Sequence, residues 1–132
     1  MQKIKIKFFR FLHTSIYGGL YMDKTSQRII CLMIEKIERA IEIVNTYSSE
    51  EIESNYILSD SLMYEFEKLY EDCTRLSVEV ILQYHEIPIN ELRSIRNRVA
   101  HNYESVIISI LVDTAKNDFP KFKEILSSIK LC

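Results

Sequence analysis

Glycine is nearly missing from this chain. Its 132 residues include two glycines, at positions 18 and 19, and none from Met22 onward. Tight hairpins depend on glycine for positive backbone angles, so its absence argues against a hairpin-rich β fold and for helices joined by short polar links. Proline is as scarce, with only Pro88 and Pro120, and each reads as a helix boundary. The three cysteines, Cys31, Cys73 and Cys132, are far apart and odd in number. They provide no CxxC or Cys/His spacing for a metal. Cys31 and Cys73 read as buried thiols of a protein kept in a reducing, cytoplasmic setting. No apolar run approaches the roughly 20 residues of a membrane span, so no membrane partner is expected.

What is present is ordinary for a globular domain, with 47% apolar and 27% charged residues. The length fits one domain with a single core. Charge is divided unevenly. Residues 1–21 carry Lys3, Lys5, Lys7 and Arg10 and no acid, which leaves 13 basic and 19 acidic residues elsewhere, a net of −6. Such a body does not attract nucleic acid by bulk charge, so an RNA contact has to come from a local cluster such as Arg93, Arg96 and Arg98.

The first 21 residues form an atypical N-terminal extension. Lys3 to Lys7 alternates like a strand. The basic start and Phe8 to Leu12 have the outline of a signal peptide, but the apolar part is short, His13 interrupts it and no small-residue cleavage site follows. A better account is upstream sequence translated from a misplaced start, since Gly18-Gly19 can be encoded as GGAGG and Met22 follows closely.

Residues 22–132 read as one helical domain. Thr25 or Ser26 can cap a helix over about 26–47, with Ile30, Met33, Ile34, Ile37, Ile41 and Val44 on its apolar side. Ser48 to Tyr56 suits a short helix or an ordered loop. Ser59 or Asp60 can cap the next helix, expected to be the longest at about 59–84, because Leu58, Leu62, Phe66, Leu69, Cys73, Leu76 and Val80 keep a helical step. Pro88 then breaks the chain, and Asn90 can cap a helix with Leu92, Ile95 and Val99 inward. Two more helices follow, one with Val106, Ile107, Ile110 and Leu111, the other beginning at Asp118-Phe119-Pro120. The expected fold is an all-α bundle of four or five helices.

Chemistry concentrates in Arg96-Asn97-Arg98-Val99-Ala100-His101-Asn102-Tyr103. A guanidinium matches phosphate oxygens with a planar fork of donors, and an imidazole moves a proton near neutral pH. Asn97 and His101 are four apart and share a helix face, and Arg96 and Tyr103 nearly do. Arg96 and His101 are five apart, about 140° around an ideal helix, so they cannot meet on one phosphate from a straight helix. Either the helix distorts near His101 or two copies of the chain share the site across a two-fold axis. The spacing alone is equally compatible with a solvated helix whose arginines pair with acids.

The series Arg96-Asn97-x-x-x-His101-x-Tyr103 resembles the RN-x3-H-x-Y signature of HEPN-domain proteins, specifically the HepT toxins of two-gene HEPN/MNT toxin–antitoxin systems. The likeness covers roughly residues 22–130. Asp60, Glu71, Leu76 and Ser77 stand at matching places in the preceding helix, and Asp118-Phe119-Pro120 stands where the family often has D-L-P. Tyr64, Tyr70, Asp72 and Asn102 depart from the pattern, Tyr70 and Asn102 at positions usually held by glycine. The resemblance implies a homodimeric HEPN-like bundle and a metal-independent endoribonuclease that needs no cofactor. It implies that His101 is a general acid or base, that Arg96 stabilises charge on the phosphate and that Asn97 orients His101 or a phosphate oxygen. Glu71 would support Arg96, or else pair with Lys68 or Arg75 on a solvated face. The implied partner is an MNT-type nucleotidyltransferase antitoxin that silences the toxin by adding AMP to Tyr103. The same resemblance also fits a non-catalytic HEPN module that binds a nucleotide or that transferase.

Overall fold

The computed structural model describes residues 22–101 and 105–129, with backbone alone at 105 and 106. The described residues form seven helices and no strand. They are α1 (Lys24–Thr46), α2 (Ser49–Ser54), α3 (Tyr56–Thr74), α4 (Val78–Gln83), α5 (Ile89–His101), α6 (Ser105–Asn117) and α7 (Phe119–Ile129). Five of them are long and two have six residues each. The all-α fold is therefore as the sequence predicts, and the link at Ser48 to Tyr56 is a helix. The extension at residues 1–21 lies outside the described residues.

The helix starts differ from those expected. Asp23, not Thr25 or Ser26, caps α1, its Oδ1 accepting from the Ser26 N–H at 2.6 Å. Ser48 opens α2 with a reciprocal capping box, its Oγ accepting from Glu51 N–H while Glu51 Oε1 accepts from Ser48 N–H. Asn55 caps α3 by accepting from Ile57 N–H at 3.0 Å. Ser59, an expected cap, instead lies inside that helix and donates back to the Asn55 carbonyl. Asn90 sits in the first turn of α5, where its Oδ1 accepts from Arg93 Nη1 at 3.0 Å.

One expected helix is two. The stripe from Leu58 to Val80 does not lie on a single helix, because the chain breaks at Arg75–Ser77 and α1, with 23 residues, is the longest. Ser77 caps α4 with its hydroxyl, and its own N–H donates to Ser26 Oγ at 3.0 Å. Ser26 is 1% exposed, so this bond pins the break against the start of α1. Leu76 and Val80 are nonetheless buried, so the apolar rhythm continues across a break in the backbone.

The core is built around α1 and α3, which pack along each other. α1 also contacts α6 and α7, and α5 lies on α3. Ile30, Met33, Ile37, Leu62, Phe66, Leu69, Leu111, Phe119 and Phe122 are fully buried. The Phe66 and Phe119 rings stack with centroids 4.8 Å apart and join α3 to α7, worth about 0.5–1.5 kcal/mol beyond area burial. Cys73 is a buried free thiol, as expected, and burial pushes its pKa up to about 12. Cys31 is a correction. It is half-buried and disulfide-bonded where the sequence predicts a buried free thiol, and of the two described cysteines only Cys73 is a thiol. Among the described residues no helix is long and apolar enough to cross a membrane.

Candidate functional site

Three buried residues, Leu92, Ile95 and Val99, fix α5 on α3. They turn Arg96 sideways and leave Asn97, Arg98, Ala100 and His101 exposed. α5 is unbroken from Ile89 to His101. The five-residue separation of Arg96 and His101 therefore lies within one continuous helix, with no distortion between them. Arg98 and His101 occupy its last turn, where the carbonyl end of the helix favours positive charge.

Arg96 is half-buried. Its Cζ lies 4.8 Å from the centroid of the Tyr70 ring on α3, within cation–π range. Its Nε is buried and has no hydrogen-bond partner among the described residues. A desolvated donor without a partner is costly, and in a native structure such a group asks for an explanation. Arg96 and Tyr70 share an open recess of about 370 Å³ with Glu67, Glu71 and Ala100. Asn97 and His101 are not among the residues lining it.

Glu71 thus sits beside Arg96, but its ion pair is with Lys68, whose Nζ is 3.2 Å from Glu71 Oε2 on the exposed side of α3. That hydrogen bond is the main reason the Lys68 pKa is raised. Tyr103 and Asn102 lie outside the described residues. Of the residues singled out in the sequence, the structure gathers Arg96 and Glu71 at one recess and sets Asn97 and His101 on the exposed surface of the same helix as Arg96.

The sequence marks Tyr70 only as a departure from a family pattern. It is the aromatic floor beneath Arg96, and its hydroxyl also accepts from Arg93 Nε at 3.0 Å. That bond, with smaller contributions from Arg96, holds the Tyr70 pKa below the usual phenol value against the opposing effect of burial. The two other described departures behave alike. The Tyr64 ring lies 5.6 Å from Lys68 Nζ, and Asp72 is paired with Lys36 and Arg75. Each departure on α3 meets a basic side chain. No local spacing in the sequence marks this role, because the arginine partners of Tyr70 come from another helix.

The chain belongs to the HepT-like ribonuclease family, whose model, described as Ribonuclease HepT-like, matches residues 33–129. It is also similar to a Methanocaldococcus jannaschii protein named as a gamma-glutamylcyclotransferase and candidate RNase, at 25% identity over 97 residues, which is 70% of this chain and 44% of that protein. The chain spans less than half the length of that relative. No solved structure matches the chain.

Proposed function

We propose that this protein is an endoribonuclease of the HepT type, and that its site is completed when two copies bring their α5 helices together. The observation that carries this reading is Arg96 itself. It is a half-buried guanidinium held over an aromatic ring at the edge of an open recess, in a chain of the HepT-like ribonuclease family. Arg96 would neutralise charge gathering on a phosphate as it becomes five-coordinate. His101 would take the proton of the ribose 2′-hydroxyl or supply one to the leaving oxygen. The 2′-oxygen bonds to phosphorus, the bond from phosphorus to the 5′-oxygen breaks, and the 5′-oxygen gains the proton. Asn97, one turn before His101, would orient the imidazole or a phosphate oxygen. No metal or cofactor is needed for this displacement.

The dimer is part of the proposal because Arg96 and His101 diverge on one unbroken helix. A two-fold axis beside α5 would set Arg96 of one copy near His101 of the other. The biological setting proposed is a two-gene toxin–antitoxin pair in the cytoplasm. There a minimal nucleotidyltransferase silences the toxin by adding AMP to Tyr103, and the added negative charge repels an RNA phosphate from Arg96. Purified protein should cut RNA in the presence of a chelator, and His101→Ala should remove the cutting while leaving the fold intact. A wild-type protein that leaves RNA whole would refute the reading. The silencing step has its own test. Intact mass after co-expression with the transferase should show AMP increments that vanish in Tyr103→Phe, and an unmodified wild type would exclude that step.

A further inference from the structure

We infer that Tyr70 is a positioning residue that sets the guanidinium of Arg96 for a phosphate and is itself locked by Arg93. The inference deepens the ribonuclease reading and rests on it for the identity of the substrate. Tyr70 has two functional ends, and the structure uses both. Its ring face lies 4.8 Å from Arg96 Cζ. Its hydroxyl accepts from Arg93 Nε at 3.0 Å. Arg93 is in turn held by Asn90, which accepts from its Nη1 at 3.0 Å. Asn90, Arg93 and Arg96 are spaced by three along one side of α5, so the chain from Asn90 through Arg93 and Tyr70 to Arg96 is continuous.

The geometry fits a positioning role better than simple packing. Tyr70 is 8% exposed, so its ring has little freedom to move. The ring covers one side of a guanidinium whose Nε is already out of solvent. An arginine that must meet a phosphate bidentately gains from a fixed plane, because less rotamer freedom remains to be lost on binding. The carboxylates beside the recess do not take over this task. Glu71 is ion-paired with Lys68, and among the described residues neither Glu67 nor Glu71 forms an ion pair with Arg96. The aromatic therefore holds Arg96 without neutralising it, which leaves its charge available to an anion.

The two ends of Tyr70 can be removed separately. Tyr70→Phe keeps the ring and loses the hydroxyl, which takes the bond from Arg93 and a smaller contribution from Arg96. Tyr70→Leu loses both. On a short single-stranded RNA, Tyr70→Leu should lower kcat by about tenfold, the scale of one desolvated cation–π contact, with KM little changed. Tyr70→Phe should retain most of the wild-type kcat, which is the rescue that a ring-based role requires. A packing role alone would lower the thermal midpoint of Tyr70→Leu and leave kcat intact well below that midpoint. A second measurement needs no cleavage. In nitrogen-15 NMR spectra of the full-length protein, inorganic phosphate should shift the Arg96 Nε–H signal in wild type and Tyr70→Phe, and shift it much less in Tyr70→Leu. Wild-type kcat in Tyr70→Leu would overturn the inference. If the wild type cuts no RNA, the ribonuclease reading fails by itself, and the phosphate titration decides Tyr70. Equal shifts in wild type and Tyr70→Leu would then reject it.

Discussion

Lys36 on α1 places its Nζ 2.7 Å from Asp72 Oδ2 on α3, and both side chains are nearly out of solvent. The short distance makes a close Coulombic pair that joins the middle of α1 to the last turn of α3. Arg75 is the second partner, 3.3 Å from Oδ1 but largely exposed, and solvent screening leaves such a contact with little strength. Lys36→Met would strand the carboxylate in the core, and unfolding by denaturant should show a loss of about 3 kcal/mol. Restoring most of that loss by adding Asp72→Asn to Lys36→Met would identify the stranded charge as its cause. An unchanged midpoint in Lys36→Met would show that Arg75 alone satisfies Asp72.

The hydrogen bond from Ser77 N–H to Ser26 Oγ spans 51 residues and ties the start of α4 to the start of α1. Ser26→Ala leaves a half-buried backbone donor without its partner, which costs about 1 kcal/mol. Hydrogen exchange at Ser77 should rise more than exchange at the middle of α3. Equal changes at both places would mean that the bond does not hold the α3–α4 break.

That bond also explains what could and could not be read in the sequence. The stripes of α1, α5 and α7 were legible because apolar side chains at helical spacing have to face a core, and Ile37, Ile95 and Phe122 do. The break at Ser77 was not legible, because Leu76 and Val80 keep the helical period across it. The partner that fixes the break lies on another helix. The same contact misdirected the first cap. Ser26 is a good cap by type, but its hydroxyl serves Ser77, and Asp23 caps instead. At the site, Arg96 and His101 stood out as residue types suited to phosphate. Tyr70 did not, since its meaning depends on α5 crossing α3, which no local pattern shows.

Glu65 gives a pH prediction. It is buried on α3, with Arg39 Nη1 at a long 3.9 Å from Oε1. Burial raises its pKa, and Arg39 and Lys36 oppose the rise without cancelling it. A carboxyl whose folded pKa lies above its unfolded one contributes stability that is present in acid and lost as pH rises through the folded value. Glu65→Gln keeps the shape and removes that loss. The stability advantage of the variant over wild type should therefore grow as pH climbs from the ordinary glutamate range through the raised value. A difference independent of pH would contradict the assignment.

The proposed ribonuclease site takes Arg96 from one copy and His101 from another. It is tested most directly with a heterodimer of Arg96→Ala and His101→Ala chains carrying two different tags and purified through both. Each single variant alone should be inactive on RNA. In the heterodimer one site carries both substitutions and the other carries none, so it should recover about half of the wild-type activity. A heterodimer as inactive as its parents would contradict the shared site.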